Sequence, residues 1–175
     1  FSIKKDNIRF NDLTLALNKK IISVPEMIVQ TRNKKSLITG KINNKNTNID
    51  KHYLKHFIKV DRLGIDIQEI NFNSKNDFEF NLDNNFEISN LNISSEINLN
   101  NMKVDNSLKL KNIFPKIKKE VFFKNHQINL NYNKGNLKFI GSGDAFFQEE
   151  VDKIEYEIFK NDKKIEYNFI LNVTK

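Results

Sequence analysis

The sequence predicts a mainly β protein whose strands follow one another as an antiparallel meander, in a curved sheet that is groove-like or sandwich-like. Apolar and polar residues alternate with a period of two over most of the 175 residues, as expected where one face of a strand is buried. Short stretches rich in Asn, Asp, Gly and Lys separate these segments and favour turns. Fifteen Phe residues and abundant Ile supply enough apolar area for the chain to become ordered.

The first third of the chain contains extended segments and one predicted helix. The opening stretch and "LTLAL" (residues 13–17) alternate as strands do. A short amphipathic helix is predicted at about residues 50–60, where Asp50 is a suitable N-cap and Gly64 a suitable stop signal. The apolar residues that recur there at helical spacing are Tyr53, Leu54, Phe57 and Ile58.

Strands and turns dominate the rest of the chain. Four polar stretches between the alternating segments are predicted as turns: "NSKN" (73–76), "LDNN" (82–85), "YNKGN" (132–136) and "KNDKK" (160–164). The predicted strands are "DFEFNL", "FEIS", "LNISSEINL", "INLNY", "LKF", "IEYEI" and "KKIEYNFILNVT". In "NIFPKIKKEVFFKNH" (112–126), Pro115 suits the first turn of a helical segment at about 115–121, and an irregular crossover is the alternative.

Composition and charge argue against a specific nucleic-acid partner. The net charge is +7, but only three of the 29 basic residues are Arg, namely Arg9, Arg32 and Arg62. Base and phosphate recognition favours the bidentate Arg fork, so the evenly spread Lys surplus is better explained as solubilising charge. There is no Cys, which removes disulfides and thiolate chemistry. No apolar run reaches the roughly 18 residues of a membrane helix.

No group of residues has the spacing of a catalytic or metal site. His52 and His56 lie four residues apart in the predicted helix, but "HYLKH" lacks the Glu of the zinc-protease motif, so surface histidines are the preferred interpretation. "GSGD" (141–144) lacks a third glycine and favours a β-bulge or bend.

The acidic side chains near this stretch are expected to point mostly outward, with Lys153 among them. They are Asp144, Glu149, Glu150, Asp152 and Glu155. We therefore expect no catalytic residue, no cofactor, no metal and no enzymatic activity.

The strongest functional signal is the apolar stripe of the later strands. Its residues are Leu91, Ile93, Ile97, Leu99, Leu137, Phe139, Ile154, Tyr156, Ile158, Ile165, Tyr167, Phe169, Leu171 and Val173. Two interpretations are open. The stripe forms the core of a closed β-sandwich without a small-molecule ligand, or it lines an open curved sheet that receives acyl chains.

Several short motifs follow one another in a recognisable order. Residues 8–42 form a predicted strand pair that ends at a glycine, Gly40, followed by a short helix, "IDKHYLKHFI", and a long meander. The segment "LKLKNIFPKI" (108–117) comes next, and the chain from "INLNYNKGNLKF" onward runs into a G-x-G (Gly141 and Gly143) and then a D-x-I-x-Y strand (Asp152, Ile154 and Tyr156). This order resembles the AsmA-like and YhdP-like family of periplasmic lipid-transport proteins.

The resemblance implies a fold, a function and a location. Residues 1–175 would be a single β-rich segment excised from a longer repetitive β-groove protein, with neighbouring β-segments of that parent as partners. Phospholipid acyl chains would slide along the apolar groove towards the outer membrane. The protein would reside in the periplasm, anchored to the inner membrane through parts of the parent outside this segment.

Overall fold

The described residues form a single open sheet of ten antiparallel strands. The computed structural model describes residues 2–4, 6–17, 20–32, 35–52, 66–105 and 116–174. The strands are β1 (Ser2–Lys4), β2 (Asn7–Leu17), β3 (Lys20–Arg32), β4 (Lys35–Asp50), β5 (Asp66–Asp83), β6 (Ile88–Asp105), β7 (Glu120–Asn133), β8 (Asn136–Phe146), β9 (Asp152–Lys160) and β10 (Ile165–Asn172). Their order in the sheet is their order in the chain, and β1 does not pair with β10. The predicted antiparallel meander is confirmed.

The register gives the sheet one apolar face and one polar face. Residues that lie opposite each other on neighbouring strands point to the same side, and Phe78 pairs with Ile93, Ile93 with Tyr132, and Tyr132 with Leu137. The adjacent residue on each of these strands points to the other side of the sheet, where the cross-strand row consists of Glu79, Asn92, Asn133 and Asn136. We call the two sides the apolar face and the polar face.

The described strands form one layer rather than the two packed layers of a sandwich. All ten strands belong to one hydrogen-bonded sheet, and its strand order leaves no second sheet among the described residues to pack against the apolar face. The interpretation as a closed sandwich is therefore wrong for the described part of the chain.

Bulges interrupt the strands along a line that crosses the sheet. Two residues of β4, Lys45 and Asn46, lie opposite Asn73 of β5, and the Asn46 backbone N–H donates to the Asn73 side chain at 2.9 Å. In β7, Asn125 and His126 lie opposite one residue of β8. Asn46 and Asn125 have positive φ angles of 46° and 55°, which Asn tolerates better than most residues. Such bulges bend a strand and increase its twist.

Three of the four predicted turns are confirmed, and the fourth is wrong. Turns join β5 to β6, β7 to β8 and β9 to β10, as "LDNN", "YNKGN" and "KNDKK" predict. "NSKN" lies instead inside β5. Ser74 is buried there and accepts hydrogen bonds from the side-chain amides of Asn44 and Asn76 at 2.9 and 3.0 Å. These hydrogen bonds satisfy the polar side chains of "NSKN" within the strand, although the sequence pattern predicts a turn there.

The two predicted helical segments have different outcomes. Asp50 is the last residue of β4, Lys51 and His52 are helical, and residues 53–60 of the predicted helix lie outside the described residues. The helical turn predicted at about 115–121 is wrong for residues 116–121, because 116–119 form a turn and irregular chain and β7 begins at Glu120. The Lys118 N–H donates to the Phe147 carbonyl at 2.9 Å, and Val121 pairs with Val104, so tertiary contacts override the local preference.

The two ends of the sheet are built differently. At one end, short turns join β5 to β6, β7 to β8 and β9 to β10. At the other end, the connections after β4 and β6 are long, and residues 147–151 form the loop between β8 and β9. The buried side chains Ile117, Val121 and Ala145 lie at this second end. We call the first the hairpin end and the second the covered end.

A substitution at Gly40 tests the close approach of Phe78 to the sheet. A Cβ at Gly40 would lie 2.7 Å from Phe78 Cζ and 2.8 Å from the Glu26 carbonyl oxygen, and that backbone oxygen cannot rotate away. We expect Gly40→Val to lower the free energy of unfolding by about 1–3 kcal/mol, measured by urea unfolding with far-UV circular dichroism. Thr39→Val on the polar face is the control, with an expected change within about 0.5 kcal/mol. Equal stability of the two variants would contradict the packing described.

Candidate functional site

The apolar face is the candidate functional site, and the register places the predicted stripe on it almost completely. Leu91 lies at the bulge opposite Phe80, and Val173 follows the end of β10. The stripe residues that the register brings to the apolar face are Ile93, Ile97, Leu99, Leu137, Phe139, Ile154, Tyr156, Ile158, Ile165, Tyr167, Phe169 and Leu171. The prediction that these residues share a face is thus correct for twelve of them.

The apolar face is wider than the predicted stripe. Ile128, Leu130 and Tyr132 of β7 lie between the stripe residues of β6 and those of β8. On the other side of β6, the face continues through Phe78 of β5 to Ile38 of β4 and its neighbours. The alternation predicted strands around Ile128 and Phe78 but not around Ile38, and the predicted stripe omitted all of these residues.

Aromatic rings form a continuous row on this face from β7 to β10. The rings of His126 and Tyr156 stack with centroids 5.7 Å apart, and those of Tyr156 and Phe139 stack at 5.6 Å. Phe169 of β10 lies 6.5 Å from Tyr156 and 5.8 Å from Tyr167. We call these five residues the aromatic row. Ring contacts of this kind add roughly 0.5–1.5 kcal/mol per pair to the burial of their area.

The two glycines of "GSGD" create the space for this row. A Cβ at Gly141 would lie 2.5 Å from the ring of Tyr156, and a Cβ at Gly143 would overlap the ring of His126. The rings therefore lie over backbone that has no side chain. The bulge expected from the glycines is present at this point, but the extra residue belongs to β7, whose Asn125 and His126 lie opposite Gly143.

His126 and Tyr156 form a hydrogen-bonded pair within the row. His126 Nε2–H donates to the Asp144 carbonyl oxygen at 3.0 Å, which leaves Nδ1 to accept from the Tyr156 hydroxyl at 3.0 Å. His126 is only 2% exposed, and burial lowers its pKa below the usual value for histidine. Burial also raises the pKa of Tyr156 to about 12. Both groups are consequently uncharged near pH 7.

The sequence gives no signal for this pair. The two residues are thirty positions apart, and only the register of β7, β8 and β9 brings them together. The sequence pattern assigns no role to His126 and makes Tyr156 one residue of the apolar stripe. A buried His whose two nitrogens are both occupied is a structural element of the face rather than a free acid or base.

The acidic residues near the glycines do not all point outward. Asp144 accepts from Asn125 at 2.8 Å and pairs with Lys153, and these contacts lower the pKa of Asp144. Asp152 is 1% exposed because it occupies the apolar-face position opposite Ala145. Its Oδ1 accepts from the Thr174 N–H at 3.0 Å, and its Oδ2 has no hydrogen-bond partner among the described residues. The expectation of an outward side chain is wrong for Asp152.

The described residues contain no obvious metal or membrane element. His52 is exposed, and His56 lies outside the described part of the chain. Within 2–4, 6–17, 20–32, 35–52, 66–105 and 116–174, no three His, Cys, Asp or Glu side chains form a cluster that would hold a metal ion. The same residues include no helix with the length and hydropathy needed to cross a membrane.

Comparison of the chain with protein-family models, curated proteins and solved structures finds no match. The similarity to AsmA-like proteins therefore rests on the short motifs quoted above, and any function inferred for this chain must be argued from its own face and edges.

The buried histidine predicts a specific dependence of stability on pH. Because the pKa of His126 is lower in the folded state, the unfolded chain binds more protons below about pH 6.5. The contribution of His126 to the free energy of unfolding should stay constant above that pH. Between pH 6.5 and pH 5 the free energy of unfolding should decrease as the pH is lowered, by at most about 1.4 kcal/mol per pH unit. Urea unfolding at a series of pH values measures this slope.

His126→Gln is the matched variant, since Gln is neutral throughout and His52 and His56 remain in both proteins. The variant should lose the slope between pH 5 and 6.5. The pKa of Asp144 is depressed, so its stabilising contribution is present throughout this pH range and is lost only at a lower pH, as the pH falls through the acid range. An unchanged slope in His126→Gln would show that His126 is not buried in its neutral form.

Proposed function

We propose that this chain is a lipid-binding segment of a periplasmic bridge-like protein of the AsmA-like kind, which guides phospholipid acyl chains along its apolar face towards the outer membrane. The observation that carries the proposal is the single sheet layer, whose apolar face has no second layer of described residues against it. Monomeric soluble proteins rarely leave a large continuous apolar area uncovered, and such areas mark binding surfaces.

The dimensions of the face suit an acyl chain. Ten strands at about 4.8 Å spacing span about 45 Å perpendicular to the strands. One leaflet of a bilayer's hydrocarbon core is about 15 Å thick, so a row of side chains across the sheet is longer than a single acyl chain. Phe78, Ile93, Tyr132 and Leu137 form one part of such a row, about 14 Å long over four neighbouring strands.

The chemistry of the face also suits hydrocarbon. An acyl chain that leaves water for an apolar surface gains about 0.8 kcal/mol for each methylene that is buried. The polar atoms of His126 and Tyr156 bond each other and the backbone, so this pair carries no charge and no vacant donor towards the face. Binding would be non-covalent and would need no cofactor.

Opposite charges on the polar face keep that side in water. Cross-strand pairs join Arg9 to Glu26 at 3.3 Å and Lys138 to Glu157 at 2.9 Å. Exposed pairs of this kind contribute at most about 1 kcal/mol each, so their main effect is solubility and register. A sheet with one hydrated side and one apolar side is the arrangement that a lipid groove requires.

The edges of the sheet suit continuation by further strands. β1 and β10 each have a neighbour on one side only, which leaves backbone donors and acceptors available on the outer side. Neighbouring β-segments of a longer parent would pair there and extend the apolar face. Residence in the periplasm and anchorage in the inner membrane through the parent are part of this proposal.

Two adjacent residues of β10 provide a sharp test. Phe169 points to the apolar face and is 53% exposed, whereas Ile170 points to the polar face and is 48% exposed. We expect phospholipid to co-purify with the wild-type chain and with Ile170→Asp, and to be lost from Phe169→Asp, because a carboxylate on the apolar face opposes contact with hydrocarbon. Mass spectrometry of organic-solvent extracts, from protein secreted to the periplasm, measures this.

Circular dichroism and urea unfolding of all three proteins establish that folding is retained. Since both side chains are about half exposed, neither substitution buries a charge fully. Equal lipid in the folded Phe169→Asp and Ile170→Asp variants would contradict binding on the apolar face. No lipid above background in the folded wild-type chain would favour a sheet that acts as a structural or interaction module.

A further inference from the structure

The apolar face contains a group of polar side chains that the binding of acyl chains does not explain. These side chains belong to three neighbouring strands, and they are Asn44 of β4, Ser74 and Asn76 of β5, and Ser95 of β6. Asn44 lies opposite Ser74, and Asn76 lies opposite Ser95. We call these four residues the polar island. All four side chains are uncharged, so the polar island offers hydrogen bonds but no ion pair.

Hydrogen bonds to Ser74 fix the geometry of the polar island. The side-chain amides of Asn44 and Asn76 both donate to Ser74 Oγ, at 2.9 and 3.0 Å. The Asn76 amide also donates to the Ile42 carbonyl oxygen at 2.8 Å. A serine hydroxyl has two acceptor lone pairs and one donor proton. Because Ser74 Oγ already accepts two bonds, the group that remains for a further partner is its O–H donor.

Two buried hydroxyl groups of the polar island have no acceptor within the described part of the chain. Ser74 is 5% exposed and Ser95 is 6% exposed. Among the described residues, Ser74 takes part in side-chain hydrogen bonds only as an acceptor, and Ser95 makes no side-chain hydrogen bond. A buried hydroxyl without a partner costs free energy, and such groups normally meet water or a ligand. The polar island therefore presents two hydroxyl donors to a molecule that lies on the apolar face.

Each of these hydroxyls stands at the head of a row of residues that runs to the β10 edge of the sheet. The row that begins at Ser95 continues through Leu130, Phe139, Ile158 and Tyr167. The row that begins at Ser74 continues through Ile97, Ile128, Gly141, Tyr156 and Phe169. Neither row contains a charged residue. We call them the Ser95 row and the Ser74 row.

The two rows have dimensions that suit a pair of acyl chains. Strands spaced by about 4.8 Å give the Ser95 row a length of about 19 Å, from β6 to β10, and the Ser74 row a length of about 24 Å, from β5 to β10. Both exceed the roughly 15 Å that one leaflet contributes to a bilayer's hydrocarbon core. The rows are two residues apart along the strands, which is about 7 Å. Two chains can therefore lie side by side with their polar ends at the polar island.

We propose that the polar island binds the two ester groups of a diacyl lipid. The Ser74 and Ser95 hydroxyls donate to the two ester carbonyl oxygens, and the acyl chains lie along the Ser74 row and the Ser95 row. This inference rests on the proposed function, because it specifies the lipid that the apolar face receives. An ester carbonyl is an uncharged acceptor, whereas a phosphate or a free carboxylate would find no cation in the polar island. A bare hydrocarbon would leave both hydroxyls unpaired.

A pair of lipids that differ only in their carbonyl groups tests the inference on the wild-type chain. Dipalmitoylphosphatidylcholine and dihexadecylphosphatidylcholine share headgroup and chain length, but the second has ether linkages. The purified chain, stripped of co-purified lipid, is incubated with equal amounts of both in detergent micelles, and mass spectrometry of its extract gives the bound ratio. We expect the diester to be preferred by roughly 25-fold, which is about fivefold for each hydrogen bond.

Two other outcomes separate this inference from the proposed function. Equal binding of the diester and the diether would mean that water satisfies the two hydroxyls. It would overturn the ester site and leave the binding of acyl chains on the apolar face intact. Binding of neither lipid would contradict the proposed function, and this inference with it.

Adjacent serines of β6 provide the matched variants. Ser95 points to the apolar face, whereas Ser94 lies opposite Asp77 on the polar face and is exposed. Ser95→Ala removes no hydrogen bond between described residues, so folding should be retained, as circular dichroism would verify. Its preference for the diester should fall to roughly fivefold, with diether binding unchanged, and Ser94→Ala should behave as the wild type does. Full preference in Ser95→Ala, or an equal loss in both variants, would overturn the ester site.

Discussion

The whole architecture depends on the cross-strand register. In an antiparallel sheet, opposite residues share a side and successive residues alternate, so ten paired strands with period-two patterns collect most of their apolar positions on one face. A slip of one residue in any strand would move its apolar side chains into water and its Asn and Lys residues onto the apolar face. The face is thus maintained by the hydrogen-bonded ladders rather than by packing against a second layer.

Bulges and glycines adjust this face locally, and each bulge shifts the register between its two strands by one residue. The bulge at Asn125 and His126 turns the imidazole onto the apolar face over Gly143. Gly141 accommodates the Tyr156 ring in the same way. Because the rings lie over bare backbone, they fill the space that two side chains would occupy, and the aromatic row adds polar atoms to the face without leaving them unpaired.

The alternation of the chain was sufficient to predict the antiparallel meander, the strands that contain the quoted segments and three turns, because these depend on neighbours in sequence. It was not sufficient for features that depend on distant partners. The amides around Ser74 hold "NSKN" in β5, and the bond from Lys118 to Phe147 places residues 116–119 outside a helix. The burial of Asp152 and the His126–Tyr156 pair arise only when β7, β8 and β9 align.

An uncovered apolar face also links stability to ligand binding. In a single layer, side chains such as Phe78 and Ile93 are only partly buried, so each gains less than the roughly 1.5–3 kcal/mol of full burial. A ligand that binds the folded face and not the unfolded chain adds RT ln(1 + [L]/Kd) to the stability. If acyl chains are the ligand, they supply the apolar contacts that a second sheet supplies in a sandwich. Cargo and fold would then stabilise each other, most strongly near β10, where the apolar side chains are most exposed.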